Sequence, residues 1–383
     1  MRYVLAVLST MLFASAYADT ECDLAAAQAP RDEKCARAWM DENLGANDLL
    51  SIGTHNSYKG AIPATEMTQL RARSMRAATV LDYSHPELGK QLDAGARQLE
   101  LDVYYDPEGG RFADPLAPRS VGQGVDPALA AELAKPGFKV MHIPDFDFRS
   151  TCIRFVACLQ AIKTWSDAHP DHIPIAILIN AKDDTPLGAK GAKIAKFDAA
   201  AFDALDAEVA SVFGAGDLIT PDQVQGKSKT LREGVLAGGW PKLREARGRV
   251  FFALDESPNK VALYRGERRS LEGRRMFVNI EESSPAAAYI TLNEPVQDAK
   301  RIRAAVEAGF MVRTRADADT LEARDGKTAR REAALSSGAQ YVSTDYMQPD
   351  ARLGGYSVSL PDGATTVCNP VRAQKKCGGH AVR

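Results

Sequence analysis

The chain has 383 residues and a formal net charge of −2, with 48 Lys and Arg against 50 Asp and Glu. That balance leaves no basic footprint for nucleic acid, so DNA and RNA are excluded as expected partners. The length suits one large α/β barrel with short extensions better than most other single domains.

Residues 1–18 read as an export signal. Arg2 gives a positive start, residues 3–14 an apolar run, and Ala16-Tyr17-Ala18 a small-x-small cleavage site before Asp19. The run is too short and wrongly flanked for a membrane span, and no other segment in the sequence is long and apolar enough. A periplasmic or extracellular location is therefore expected, where disulfides persist. The six cysteines fall into three neighbouring couples: Cys22 and Cys35, Cys152 and Cys158, Cys368 and Cys377. Six cysteines allow fifteen connectivities, of which short loop closure favours these couples. Zinc is the rival use, but no Cys-x-x-Cys is present and the histidines do not cluster with the cysteines.

Residues 19–47 form a polar, Ala-rich cover segment with a short helix at 37–42. The first strand, 48–54, is an apolar run that empties into His55-Asn56-Ser57-Tyr58. A surface excursion with a helix follows, and then Ser84-His85-Pro86 opens a helix running to Ala94. His85 reads as a local structural residue. In the second strand, 97–104, Leu99, Leu101 and Val103 share one face, and Gln98, Glu100 and Asp102 the other. In a barrel this sets apolar side chains toward the helices and two carboxylates toward the mouth.

Residues 106–135 form a Gly- and Pro-rich loop over the site, with a helix at 127–133. The third strand is expected at 138–142, ending in His142, and the crossover helix at 152–169, where Ile153, Val156, Leu159, Ile162 and Trp165 recur at helical spacing. A fully buried fourth strand, 174–180, discharges into Ala181-Lys182-Asp183-Asp184. Further strands are expected at 249–255, 275–281, 310–315 and 339–345, with helices at 199–213, 299–308 and 326–337. Eight strand-like runs separated by helices or long connections predict a closed (β/α)8 TIM barrel. The barrel would span 48–350, and a disulfide-tied tail 351–383.

Strand ends converge in such a barrel, which gathers His55, Asn56, Glu100, Asp102 and His142. Two carboxylates two positions apart on one strand face repel each other unless a cation joins them. Oxygen donors from Asn56, Glu100 and Asp102 suit Ca2+, or Mg2+, far better than zinc. Two imidazoles flanking such a cation suit acid/base work on a phosphodiester.

These ordered motifs, over roughly 48–184, resemble the first half of the catalytic barrel of phosphoinositide-specific phospholipases C, most of all the bacterial secreted, Ca2+-dependent branch. The resemblance implies that His55 and His142 are the catalytic pair and that Asn56, Glu100 and Asp102 bind calcium. It also implies a phosphatidylinositol-type phospholipid substrate, a cyclic phosphate product and transient contact with a membrane surface; no protein partner is expected. Where eukaryotic members end the fourth strand in a Glu ligand, this chain has Asn180, a neutral and weaker donor, so Asp183 is a further candidate ligand. Lys182, Arg313 and Arg315 are candidates to grip substrate phosphate. Surface ion pairing is the plainer use of such charges.

Two other readings stay open. A glycerophosphodiester phosphodiesterase shares the carboxylate pair and histidine couple, although that family usually begins its site with His-Arg-Gly and this chain reads His55-Asn56-Ser57. A non-catalytic exported barrel that binds lipid or inositol phosphate would explain Asn180, but needs no paired acid/base groups. Tyr58, Tyr83, Tyr104 and Tyr105 are candidate membrane-facing aromatics, with simple packing as the alternative.

Overall fold

The computed structural model describes residues 23–24, 32–186, 188–374, 376–377 and 380–382. The expected export signal and Cys22 lie outside the described residues. Among the described residues ten strands form one sheet: β1 (Leu49–Thr54), β2 (Gln98–Tyr104), β3 (Lys139–Val140), β4 (Ile175–Ala181), β5 (Val250–Leu254), β6 (Met276–Val278), β7 (Tyr289–Thr291), β8 (Met311–Arg315), β9 (Tyr341–Thr344) and β10 (Thr366–Cys368).

Eight of them are parallel staves. They run β1, β2, β4, β5, β6, β7, β8, β9 and back to β1. The ring is closed between β6 and β7 by one bridged pair, Asn279 and Tyr289. The chain is thus a (β/α)8 barrel, as its alternating pattern predicts.

Helices Leu88–Asp93, Phe155–Ala168, Ala199–Val212, Pro258–Arg265, Ala299–Ala308 and Ala329–Ser336 cover successive connections. Phe155, Leu159 and Ile162 pack with Leu99, Leu101 and Val103 of β2 in the main core. The opposite face of β2 is therefore free to carry polar groups inward. Gly53 of β1 allows the close approach this requires, since a Cβ there would stand 2.5 Å from the Gln98 carbonyl oxygen.

Two strand expectations are corrected. Residues 138–142 do not form a stave: only Lys139–Val140 is a strand, and it pairs antiparallel with Val103 and Tyr104, the last two residues of β2. Its alternation is used differently, with Phe138 and Val140 in the core and Lys139 Nζ buried 3.1 Å from Asp106. The stave missed by sequence reading is β7, which has only three residues and follows a connection of turns with no helix.

The last segment does more than trail from the barrel. β10 pairs antiparallel with β1, Leu49 facing Cys368 and Ser51 facing Thr366. Arg372 and Lys376 each reach the Asp48 carboxylate at 3.0 Å. Cys152–Cys158 and Cys368–Cys377 are disulfides, as neighbour pairing predicts; Cys35 is disulfide-bonded as well. No helix among the described residues is long and apolar enough to cross a membrane.

Candidate active site

β1 delivers His55 and Asn56 to the C-terminal rim of the barrel. The His55 amide still follows the ladder, donating to Thr344 O at 3.1 Å. Asn56 then turns the chain with φ +47°, a left-handed conformation that Asn tolerates better than most residues. Its amide nitrogen donates to the Tyr83 hydroxyl at 2.8 Å, and the Tyr83 ring stacks beside His55 with centroids 6.1 Å apart.

His55 Nδ1 donates to Asp345 Oδ1 at 2.8 Å, and Arg315 Nη2 reaches Asp345 Oδ2 at 3.3 Å. Burial, and next the positive Arg315, push the His55 imidazole well below its ordinary pKa; Glu100 opposes them. His55 is therefore neutral at pH 7. Its Nε2 stands 3.8 Å from Glu100 Oε1. Behind Asp345 lies a second buried carboxylate, Asp317, which accepts from the Asp345 amide at 2.9 Å and is pushed up to about 7 by burial and by Asp345.

Glu100 and Asp102 point into the barrel from alternate positions of β2. Asn180, at the end of β4, donates its side-chain amide to both, at 2.9 Å to Glu100 Oε1 and 3.0 Å to Asp102 Oδ1. Arg313 Nη2 donates to Glu100 Oε2 at 2.6 Å, and Lys182 Nζ lies 3.3 Å from Asp102 Oδ2. That Asp102 oxygen is buried and has no hydrogen-bond partner apart from the Lys182 ion pair.

An orphaned, buried carboxylate oxygen beside a second carboxylate and the Asn56 amide is an oxygen donor set that fits a hard divalent cation. Among the described residues no three His, Cys, Asp or Glu side chains gather to cage an ion. Such a cation would therefore need amide and water oxygens as well.

His142 arrives on a loop rather than a stave. Its Nδ1 donates to Asp147 Oδ2 at 2.8 Å, and its carbonyl accepts from the Tyr104 hydroxyl at 2.9 Å. It lines the same polar cleft of about 280 Å³ as His55, Asn56, Glu100, Asp102, Asn180, Lys182, Arg313 and Arg315. Asp183 is engaged elsewhere, by Lys260 Nζ at 2.9 Å and the Phe197 amide at 3.3 Å, and is not among the lining residues. Asn180 offers its nitrogen, not its oxygen, to the carboxylates. Tyr58, Tyr83 and Tyr104 are buried and do not face a membrane, and His85 is structural, donating from Nε2 to His55 O at 2.9 Å.

The cleft also holds Asp255 and Asn293, which sequence reading did not single out. Nor did it pick Asp345 and Asp147, the partners of the two histidines. A carboxylate at the end of the strand beside β1 was a usable signal for Asp345. Asp147 lies in a turn and offered none.

A parallel eight-stave barrel with its polar cleft at the C-terminal ends of the strands, two imidazoles and a carboxylate pair defines the class: a barrel phosphodiesterase. The family model described as phosphoinositide phospholipase C, Ca2+-dependent, matches residues 44–370. The chain belongs to that family of enzymes. No curated protein sequence matches it.

Its barrel is similar to that of a calcium-dependent phosphoinositol-specific phospholipase C from a Gram-negative Pseudomonas species, described as a myoinositol complex. The TM-score is 0.52 at 17% identity, over 85% of this chain and 96% of that one. It is also similar to a Ca2+-dependent phosphatidylinositol-specific phospholipase C from Streptomyces antibioticus, with a TM-score of 0.50 at 17% identity over 79% and 94%.

Proposed function

We propose that this enzyme cleaves phosphatidylinositol-type phospholipids by paired histidine acid/base catalysis, through a cyclic phosphate. One observation carries the reading: two imidazoles face one cleft, and each gives its Nδ1 proton to a buried carboxylate, which leaves Nε2 for substrate. The myoinositol complex of the Pseudomonas neighbour supports an inositol headgroup.

His55, kept neutral by burial and Arg315, is the base. Its Nε2 takes the proton of the hydroxyl next to the phosphate as that oxygen attacks phosphorus. His142, oriented by the Nδ1 hydrogen bond to Asp147, protonates the departing glycerol oxygen. The P–O bond to diacylglycerol breaks and a cyclic inositol phosphate remains.

Asn56, Glu100 and Asp102 are the residues that would hold Ca2+; Asn180 would join them only with its amide turned, and Asp183 is not needed. The ion, when bound, offsets charge developing on the phosphoryl oxygens. Lys182 and Arg315, 33% and 13% exposed, are the cations that reach toward the substrate phosphate, whereas Arg313 is 2% exposed and held by Glu100 and by Asn293 Oδ1 at 2.6 Å.

The catalytic unit is 48–350, with 19–47 as cover, 351–383 as tail and 1–18 as export signal; the disulfides support an oxidising compartment. Transient membrane contact falls to the rim around Met75 and Leu321, which are 65% and 51% exposed. Their segments touch where Thr320 Oγ1 donates to Thr79 O at 2.9 Å.

Turnover of phosphatidylinositol beside glycerophosphocholine, followed by phosphorus NMR with Ca2+ and with chelator, tests the reading. Phosphatidylinositol should yield the cyclic phosphate first, chelator should abolish the reaction, and His142→Ala should cut turnover by about 10²- to 10⁴-fold. Near wild-type rates in that variant would refute the acid/base pair.

A further inference from the structure

His142 lies outside the barrel framework. The two-residue β3 that precedes it pairs with the end of β2 and bridges Arg154, and Tyr104 of β2 holds the His142 carbonyl. The ring itself is held by Asp147 of the same loop and not by a stave. That loop is held in turn by the loop after β1. Gly60 donates its amide to Arg149 O at 3.0 Å and Thr151 donates to Tyr58 O at 2.8 Å, so the segments bearing the two histidines are laced together.

Lys59 sits at that knot with its side chain fully buried. Its Nζ donates to Leu81 O at 3.0 Å and Tyr83 O at 2.9 Å, and lies 3.1 Å from Asp147 Oδ1. The other oxygen of Asp147 accepts from His142. On the opposite side, Tyr83, whose carbonyl Lys59 holds, stacks on His55 and accepts from Asn56. A buried lysine is costly unless paired. Here the pairing spans the supports of both imidazoles.

We propose that Lys59 is a positioning residue that sets the two histidines at their working separation, acting on His142 through Asp147 and on His55 through the Tyr83 segment. The proposal rests on the paired-histidine reading above. Lys59 touches neither substrate nor ion; it holds Asp147 against His142, so that the Nδ1 proton stays fixed and Nε2 stays aimed at the cleft. Its counterpart is Arg315, which holds Asp345 against His55 from a more exposed position.

The test is a cycle of Lys59→Met, Asp147→Asn and the double variant, each checked for folding by circular dichroism, with His142→Ala alongside. Lys59→Met should lower kcat about 100-fold and leave KM within about twofold, the signature of misaligned groups and not of lost binding. In the Asp147→Asn background the same change should cost little further, because the path runs through Asp147. The downfield Nδ1 proton resonance of His142, assigned by its absence in His142→Ala, should vanish in Lys59→Met. Should the single variant fail to fold, the double variant, which buries no unpaired charge, carries the comparison with Asp147→Asn.

A folded Lys59→Met enzyme with wild-type kcat and an intact His142 resonance overturns the proposal, as do effects that simply multiply in the double variant. An active His142→Ala enzyme instead overturns the paired-histidine reading. The two failures are distinct.

Discussion

His55 and Asp345 are 290 residues apart in sequence, yet the imidazole Nδ1 donates to the carboxylate at 2.8 Å because β1 and β9 are neighbouring staves. The hydrogen bond fixes which ring nitrogen carries the proton. Asp345→Asn should reverse that choice and cut kcat by about 10²- to 10⁴-fold with little change in KM. Steady-state kinetics on phosphatidylinositol micelles check this, and a loss under threefold would remove Asp345 from the reaction.

The acidic limb of kcat/KM should lie below 6.5, since burial and Arg315 lower the His55 pKa and a bound divalent ion pushes the same way. Arg315→Met removes one of those causes. The limb should then move to higher pH; a pH–rate profile that stays in place or moves down would contradict the assignment of His55 as base.

On the proposed assignment of Asp102 and Glu100 as ligands, calcium would compete with two resident cations, Lys182 on Asp102 and Arg313 on Glu100. Lys182→Met should therefore tighten Ca2+ binding by about tenfold, whatever it does to turnover. Titration calorimetry on the resting enzyme reads this directly. Unchanged or weaker affinity would mean that Asp102 is not a ligand.

Far from the cleft, His172 is 6% exposed, with its Nε2 bonded to Ser166 Oγ at 2.7 Å, and burial lowers its pKa to about 4. The unfolded chain takes up a proton near pH 6.5 that the folded protein refuses until about 4. This contribution to stability is complete above 6.5 and drains away as pH falls through that window, by about 3 kcal/mol. Urea unfolding of His172→Gln should show a shallower acid loss between pH 6.5 and 4. An unaltered slope would show that other groups govern it.

Met75→Ser with Leu321→Ser should weaken sedimentation with phosphatidylinositol vesicles several-fold, from the loss of exposed apolar area. Turnover of a water-soluble inositol phosphodiester should be unchanged. Equal losses on both substrates would point to a folding defect, and no loss on vesicles would move the contact elsewhere.

The first half of the site was legible because it obeys strand arithmetic. An apolar run ending in His55-Asn56, and a strand alternating Leu with Glu100 and Asp102, place side chains by period alone. His142 was found as a candidate for a reason that did not hold, since it lies in the loop after a two-residue antiparallel strand and does not end a stave. β7 escaped because three residues carry too little periodicity. Lys59, Asp147 and Asp345 escaped because a polar residue in a turn, or one position past a strand, declares its partner only when the chain is folded. Asp183 looked like a ligand by its position after β4, and Lys260 claims it instead.

The join between β6 and β7, a single bridged pair with no helix within the connection, makes the wall of the barrel unequal around its circumference. A cylinder with one weak staple parts there first. Amide protons near residues 279–289 should exchange with solvent ahead of those in β2 and β4, which share six paired positions. The same weakness is a tolerance: new chain grafted into that connection would disturb neither imidazole, so variation in this enzyme's reach has an anatomical place to accumulate.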